Sequence, residues 1–287
     1  MNDQTRLDRR DKDRTRTAPP PRDFDPLTAG PKDLARYGLP QRPDPQTQPG
    51  LAALWERQAR RYRAFDHVEA QLPQRTPQQR GTPALAPRLE PTQVCGYTLT
   101  SVAAPFTALF VKWTVPNLRY VSSTHGADQF HTFVSLGFLD VHVEMGVDAA
   151  ENVSARVTVP GVDPVGLPVE PGDLMSGSMC LDTNPPGRAT YVLANETRSQ
   201  TVNFSFDSGY PPAVTVEAGI SRGALDDPFN PLARFGAVYF DEISAYTTAG
   251  PRSLTSGQAV TMADGNGATL ALPERLNDDA FRVVSAG

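Results

Sequence analysis

Apolar and polar positions alternate strictly along Asp140-Val-His-Val-Glu-Met-Gly-Val-Asp148. Val141, Val143, Met145 and Val147 fall on one face, and Asp140, His142 and Glu144 fall on the other. A period of two held over this length marks a half-buried strand with an acid on its polar face. The segment Ala213-Val-Thr-Val-Glu-Ala218 repeats the device. There Val214 and Val216 are expected to point inward, and Thr215 and Glu217 outward. Two carboxylates displayed on polar strand faces are the strongest chemical lead in the chain.

The same alternation predicts strands over 96–103, 106–115, 130–138, 140–147, 172–182, 188–196, 199–206, 212–218, 235–247, 257–263 and 267–272. Gly/Pro/Asn/Asp clusters separate them, with hairpin turns expected at Pro185-Pro-Gly187 and Glu196-Thr-Arg198. No long amphipathic helix intervenes, so the sheets should be antiparallel and the fold class all-β, a sandwich or a barrel. Before Val94 the pattern is different. Residues 1–49 show no period and are rich in Pro, Arg, Asp and Gln, so they read as a disordered leader. Leu51, Leu54, Trp55, Gln58 and Tyr62 recur at helical spacing, which predicts a helix of about four turns over 51–65, docking through Trp55. Residues 66–91 return to Pro/Gln-rich linker. The predicted division is a leader and linker over 1–93 and a β-domain over 94–287.

Composition narrows the classes. The net charge is −5, split into 17 Lys/Arg against 12 Asp/Glu in residues 1–95 and the remaining 10 against 20 in 96–287. An acidic globular part argues against nucleic acid as a partner, because a phosphate backbone needs clustered cations. No apolar run approaches the roughly 18 residues that span a bilayer, so no membrane partner is expected. The first ten residues carry no apolar secretory segment, which predicts a cytoplasmic chain if the start is as written. Asn152, Asn195 and Asn203 head Asn-x-Ser/Thr sequons, read as chance matches in that setting. Cys95 and Cys180 are too few for a disulfide scaffold or a closed zinc site and read as reduced thiols.

Several segments, in order, resemble the glutamic peptidases (eqolisins). Lys112-Trp-Thr-Val-Pro-Asn117 resembles that family's early strand ending in Val-Pro. Thr132-Phe-Val-Ser-Leu-Gly137 sits where the family has Ala-Trp-Val-Gly-Ile, and Val143-Glu-Met-Gly-Val-Asp148 matches the segment carrying its catalytic glutamine. Val169-Glu-Pro-Gly-Asp-Leu174 and Thr190-Tyr-Val-Leu-Ala-Asn-Glu-Thr197 are similar to a turn and a hairpin of the family. Pro212-Ala-Val-Thr-Val-Glu217 falls on the strand ending in its catalytic glutamate, and Phe235-Gly-Ala-Val-Tyr-Phe240 on a later strand. The resemblance covers roughly 94–250. Tyr37-Gly-Leu-Pro-Gln-Arg-Pro-Asp-Pro45 and the Leu54-Trp55 helix also resemble leaders of bacterial members. It implies a concanavalin-like sandwich of two curved antiparallel sheets, and secretion if the start is misassigned.

The resemblance further implies that Glu217 is a general base and acid acting on a water, with Glu144 in place of the glutamine whose amide helps hold the oxyanion. A carboxylate donates no hydrogen bond unless protonated. Glu144 and Glu217 are therefore expected to face each other in a concave cleft and share a proton, as a carboxylate dyad does at acid pH. Phe133 replaces the Trp before Val-Gly-Ile, Gln93-Val-Cys-Gly-Tyr97 lacks the family's Trp, and Ala155-Arg-Val-Thr-Val-Pro160 lacks both a Trp and an acid. Phe133, Tyr97, Thr215 and His142 are the substrate-side candidates. His142 and Glu144 lie about 7 Å apart along one face and would suit an acid/base pair or two metal ligands. Against each stands a plain surface role. His125 and His131 flank a loop beside the same strands. No phosphate-binding Gly loop, Gly-x-Ser-x-Gly or His-Glu-x-x-His occurs, nor the Glu-x-Asp-x-x-Glu of sandwich glycosidases. No cofactor or metal is implied. The leading expectation is a divergent glutamic-peptidase-like hydrolase. The alternatives are a peptide- or glycan-binding sandwich without catalysis, or an acid/base site for a small molecule.

Overall fold

The computed structural model describes residues 19–70, 93–122, 127–159, 165–183, 186–207, 212–223 and 231–286. The leader contributes α1 (Pro31–Arg36), α2 (Pro49–Tyr62) and β1 (Asp66–His67). The domain then runs β2 (Val94–Thr100), β3 (Phe106–Thr114), β4 (Leu118–Arg119), β5 (Asp128–Leu136), β6 (Leu139–Val147) and β7 (Val153–Thr158). Next come β8 (Leu174–Thr183), β9 (Pro186–Asn195), β10 (Gln200–Asp207), β11 (Thr215–Ser221), β12 (Arg234–Phe235) and β13 (Ala237–Thr247). The chain ends through β14 (Gly250–Arg252), β15 (Gln258–Val260), β16 (Met262–Ala263), β17 (Thr269–Arg275) and β18 (Phe281–Ser285).

Two sheets face each other. One orders its strands β1-β10-β9-β8-β3-β13-β18-β17-β16, with β14 on β13, and the other β15-β2-β11-β5-β6-β7. Among the described strands the pairing is antiparallel except where the leader's β1 joins β10 in parallel. The all-β sandwich expected from the alternation is what forms. Its core takes the inward positions of both sheets, including Leu109, Val111 and Trp113 from β3, Val141 and Val143 from β6, and Phe240 and Phe281 stacked at 4.7 Å. Strand β6 keeps the predicted alternation, with Val141, Val143, Met145 and Val147 buried and Asp140, His142 and Glu144 less so. Strand β11 departs from it. Val214 precedes the strand and is 37% exposed, while Ala213 turns inward instead.

The β5–β6 connection fixes the geometry that matters later. Leu136 pairs with Leu139, so only Gly137 and Phe138 make the turn. Gly137 has φ +60, and a Cβ there would lie 2.8 Å from the Ala213 Cβ. Its N–H donates to the Thr215 carbonyl at 2.9 Å, pinning the turn against the entry to β11. A two-residue hairpin loop needs such a residue, and its length sets every pairing that follows.

The segments resembling a family turn and hairpin meet around Asp173, which is 5% exposed. Its carboxylate accepts from the Glu170 N–H (2.8 Å), Asn195 Nδ2 (2.7 Å) and Arg198 Nε (3.1 Å). The Asn195 loop is one residue longer than expected, with Ser199 at φ 53. The turn expected around Pro185 lies outside the described residues.

The leader departs most from expectation. Residues 19–49 are ordered and include a second helix, and α2 starts two residues before the predicted bound. Trp55, Leu34, Ala59 and Tyr62 pack with Val192 on the outer face of the ten-stranded sheet. Tyr62 Oη donates to Asn203 Oδ1 at 2.6 Å, and Arg188 to the Ala35 carbonyl at 2.8 Å. Glu242, at φ 49 in a bulge of β13, accepts both from Lys112 Nζ at 2.8 Å and from Arg61 at 3.1 and 3.2 Å. Strands β7 and β18 were not expected either. Cys95 and Cys180 are unbridged, and burial pushes both thiols up to about 12. No described helix is long and apolar enough to cross a membrane.

Trp55→Ala removes a buried ring that also donates to the Pro40 carbonyl; it is expected to cost about 3–5 kcal/mol of leader docking. Limited proteolysis should then cut within 19–70 at protease levels that spare the wild type. Gly137→Ala should cost about 1–2 kcal/mol from the left-handed backbone alone, read as a lower denaturant midpoint.

Candidate active site

Strand register decides which polar side chains meet. On the face of the six-stranded sheet turned away from the core, Thr98, Glu217, Ser135 and Asp140 stand directly abreast on β2, β11, β5 and β6. The next row, two residues along, holds Gly96, Gly219, Phe133, His142 and Thr158. The third holds Val94, Ser221, His131, Glu144 and Arg156. The middle row is bare backbone on β2 and β11. A Cβ on Gly96 would lie 2.1 Å from the Ala218 carbonyl oxygen, and one on Gly219 2.1 Å from that of Cys95. The two strands approach so closely there that only glycine fits.

This face is recessed rather than flat. Glu217 is 4% exposed, Phe133 5% and His131 8%, although all point away from the inter-sheet core. Glu217 was expected to point outward from the core into a concave cleft; it does point outward, and it is buried there. Its Oε1 accepts from Thr98 Oγ1 at 2.9 Å. Burial drives its pKa up to about 7, opposed by the Thr98 hydrogen bond and assisted by the charge of Asp140. Burial also raises Asp140, against the pull of His142 and the Ser135 hydroxyl that donates to its carboxylate.

Glu144 is placed differently from the expectation. It lies two strands across and four residues along from Glu217, about 16 Å between Cα atoms at ordinary strand spacing. The two glutamates therefore do not face each other, and the residue abreast of Glu217 is Asp140. Glu144 instead accepts from Arg156 at 2.6 and 2.8 Å and from Thr158 Oγ1 at 2.9 Å. Burial would raise its carboxyl, but these donors and the neighbouring His131 outweigh it and hold the pKa below the usual value. His131 is itself lowered to about 4, by burial first. His142 is lowered by burial too, despite Asp140 and Glu144 on either side. Its ring centroid lies 6.3 Å from those of both His131 and Phe133.

Of the substrate-side candidates, Phe133, His142 and Thr215 are on the face of Glu217, and Phe133 packs with Val94 and Val260 into a small apolar patch. Tyr97 is not. It pairs with Ala218 on the opposite side of the sheet and meets Phe281 edge-on at 4.9 Å in the core. His125 lies outside the described residues. Among those residues no cluster of three or more His, Cys, Asp or Glu could hold a metal ion. Asp140, Ser135 and Thr98 were missed as site residues. Asp140 stood in the same alternating run as His142 and Glu144, and only the unknown register hid its role.

The sequence profile of the Peptidase A4 family matches residues 92–283. The chain belongs to that family. The resemblance to glutamic peptidases is thereby borne out. Solved structures that share the fold include two glutamic peptidases. Scytalido-glutamic peptidase, determined with a peptide-based transition-state analogue, is 17% identical with a TM-score of 0.52, covering 68% of this chain and 98% of its own. SCP-B, an eqolisin determined with the tripeptide Ala-Ile-His, is 17% identical with a TM-score of 0.50 and the same coverage. No curated protein sequence matches the chain.

Because Glu217 is raised in the folded state, its neutral form is the one the fold favours. That stabilisation is complete below about pH 4 and is lost as pH rises through 7. Glu217→Gln stays neutral throughout. It should match the wild type at pH 4 and exceed it at pH 8 by up to about 3 kcal/mol, measured as a difference in thermal or denaturant midpoint.

Proposed function

We propose that this Peptidase A4 chain hydrolyses peptide bonds, with Glu217 handling the protons of the attacking water. The observation that carries this is a single carboxyl, buried on a recessed strand face and held by one hydroxyl, whose pKa sits near 7. A general base and acid works best when its pKa lies near the operating pH. Glu217 in its ionised form takes a proton from water as the oxygen bonds to the carbonyl carbon. It returns that proton to the amide nitrogen as the C–N bond breaks, leaving a carboxylic acid and an amine. The peptide-based analogue and the tripeptide bound in the two related structures support a peptide ligand for this chain. The Phe133, Val94 and Val260 patch, one to two rows from Glu217, suits an apolar side chain of the substrate.

A second reading rests on Glu144. At the position where the family resemblance implies an amide donor stands a carboxylate already satisfied by Arg156 and Thr158. A face that binds peptides without cleaving them accounts for that neutralised position.

The two readings part on one measurement. A fluorogenic peptide library incubated between pH 3 and 8 should be cleaved by the wild type, and Glu217→Gln should lower the rate by about 10²–10⁴-fold while still binding peptide. Equal cleavage rates for the two proteins would remove Glu217 from the chemistry, and peptide binding with no cleavage by either would leave only the binding role.

A further inference from the structure

We infer that Asp140 is the second carboxyl of the site, sharing one proton with Glu217 across Ser135. This rests on the hydrolase reading above and adds the identity of its partner group.

The register carries the argument. Glu217, Ser135 and Asp140 are successive members of one row across β11, β5 and β6, so their side chains leave the sheet on the same side. Ser135, 3% exposed, donates its hydroxyl to Asp140 Oδ1 and so turns that carboxyl toward β5, the strand between the two acids. Thr98 fixes Glu217 from the opposite side. Glu144, by contrast, is held by Arg156 and Thr158 one strand farther out and two rows away. The two acids stand two strands apart, about 10 Å between Cα atoms at ordinary strand spacing, and the charge of Asp140 raises Glu217; across a water-poor recess such a pair favours the state that holds one proton between them.

A shared proton supplies the donor that Glu144 does not. With the proton on Asp140, ionised Glu217 accepts a proton from water as the water oxygen bonds to the carbonyl carbon. Asp140 gives its proton to the carbonyl oxygen in the same step. On collapse, the hydroxyl so formed returns its proton to Asp140, Glu217 protonates the departing nitrogen, and the C–N bond breaks. The atoms balance with one water consumed and the pair restored.

The singly protonated pair also sets a pH window, with loss of activity on the alkaline side of the Glu217 titration. The charged and titratable groups facing the pair are His142 and Glu144 on β6, His131 on β5 and Arg156 on β7; β2 and β15 present Thr98 and Gln258. Each of the four ionisable neighbours stands at least one row from Glu217.

The test combines carboxyl 13C NMR titration of the full chain with the peptide assay. In Asp140→Asn the apparent pKa of Glu217 should fall by about one unit or more, and the loss of activity above pH 7 should vanish because an amide donates at every pH. Asp140→Ala should lose about 10²-fold or more in rate, and Ser135→Ala, a milder change for folding, should shift the Glu217 titration in the same direction. Glu144→Gln should leave that titration where it is. An unmoved Glu217 titration in Asp140→Asn and Ser135→Ala, or a larger movement in Glu144→Gln, overturns the pairing. If the wild type cleaves no peptide, the hydrolase reading falls, and the NMR titration still decides whether the two carboxyls share a proton.

Discussion

The site depends on a two-residue turn. Gly137 and Phe138 leave β5 and β6 no choice of pairing, and the bond from Gly137 to Thr215 ties that pairing to β11. Side chains on a strand repeat every second residue, so register alone determines which polar groups become neighbours. Here it brings Asp140 beside Ser135 and Glu217, and sends Glu144 to Arg156. The chemistry of the face is thus set by backbone geometry at its edge before any side chain chooses a rotamer.

The second constraint is desolvation. A carboxylate, a hydroxyl and an imidazole on an open sheet face would titrate as they do in water. Recessed among Phe133, Val94 and the bare Gly96–Gly219 floor, Glu217 rises toward neutrality and both His131 and His142 fall. Glu144 shows the counterpart. It is also partly withdrawn from water, yet the Arg156 guanidinium and the Thr158 hydroxyl keep it ionised. Two glutamates on one face thereby acquire opposite character, and only one of them is free to move protons.

Much of this was legible in the sequence. The alternation in 140–147 gave the inward and outward positions of β6 because every inward residue there is apolar and every outward one but Gly146 is polar or charged. In Val94-Cys-Gly-Tyr-Thr-Leu-Thr100 the apolar Cys95, Tyr97 and Leu99 share one parity and only Val94 breaks it, so the inward side of Tyr97 was legible, and it was the family resemblance that set it on the substrate side. The burial of Glu217 was hidden, since curvature and neighbouring strands, not local pattern, close the face around it. Register is a property of pairs of strands, and a single sequence carries it only where a turn is recognised. Gly137-Phe138 was such a turn, overlooked because the predicted strand ran through it to 138. The leader misled in another way: its Pro- and Arg-rich composition speaks for disorder, but Leu34, Trp55 and Tyr62 find an apolar partner on the sheet.

That leader sits on the sheet remote from Glu217. Its helix α2 covers β9 and β10 at Val192 and the buried amide of Asn203, and Arg61 ties it to Glu242 and Lys112 on β13 and β3. Stripped of it, the sandwich would expose Val192 and Asn203 and leave the Lys112–Glu242 pair without Arg61. The extension is therefore better viewed as the missing outer layer of the sandwich than as an appendage, and the working unit as three layers thick where the domain alone supplies two.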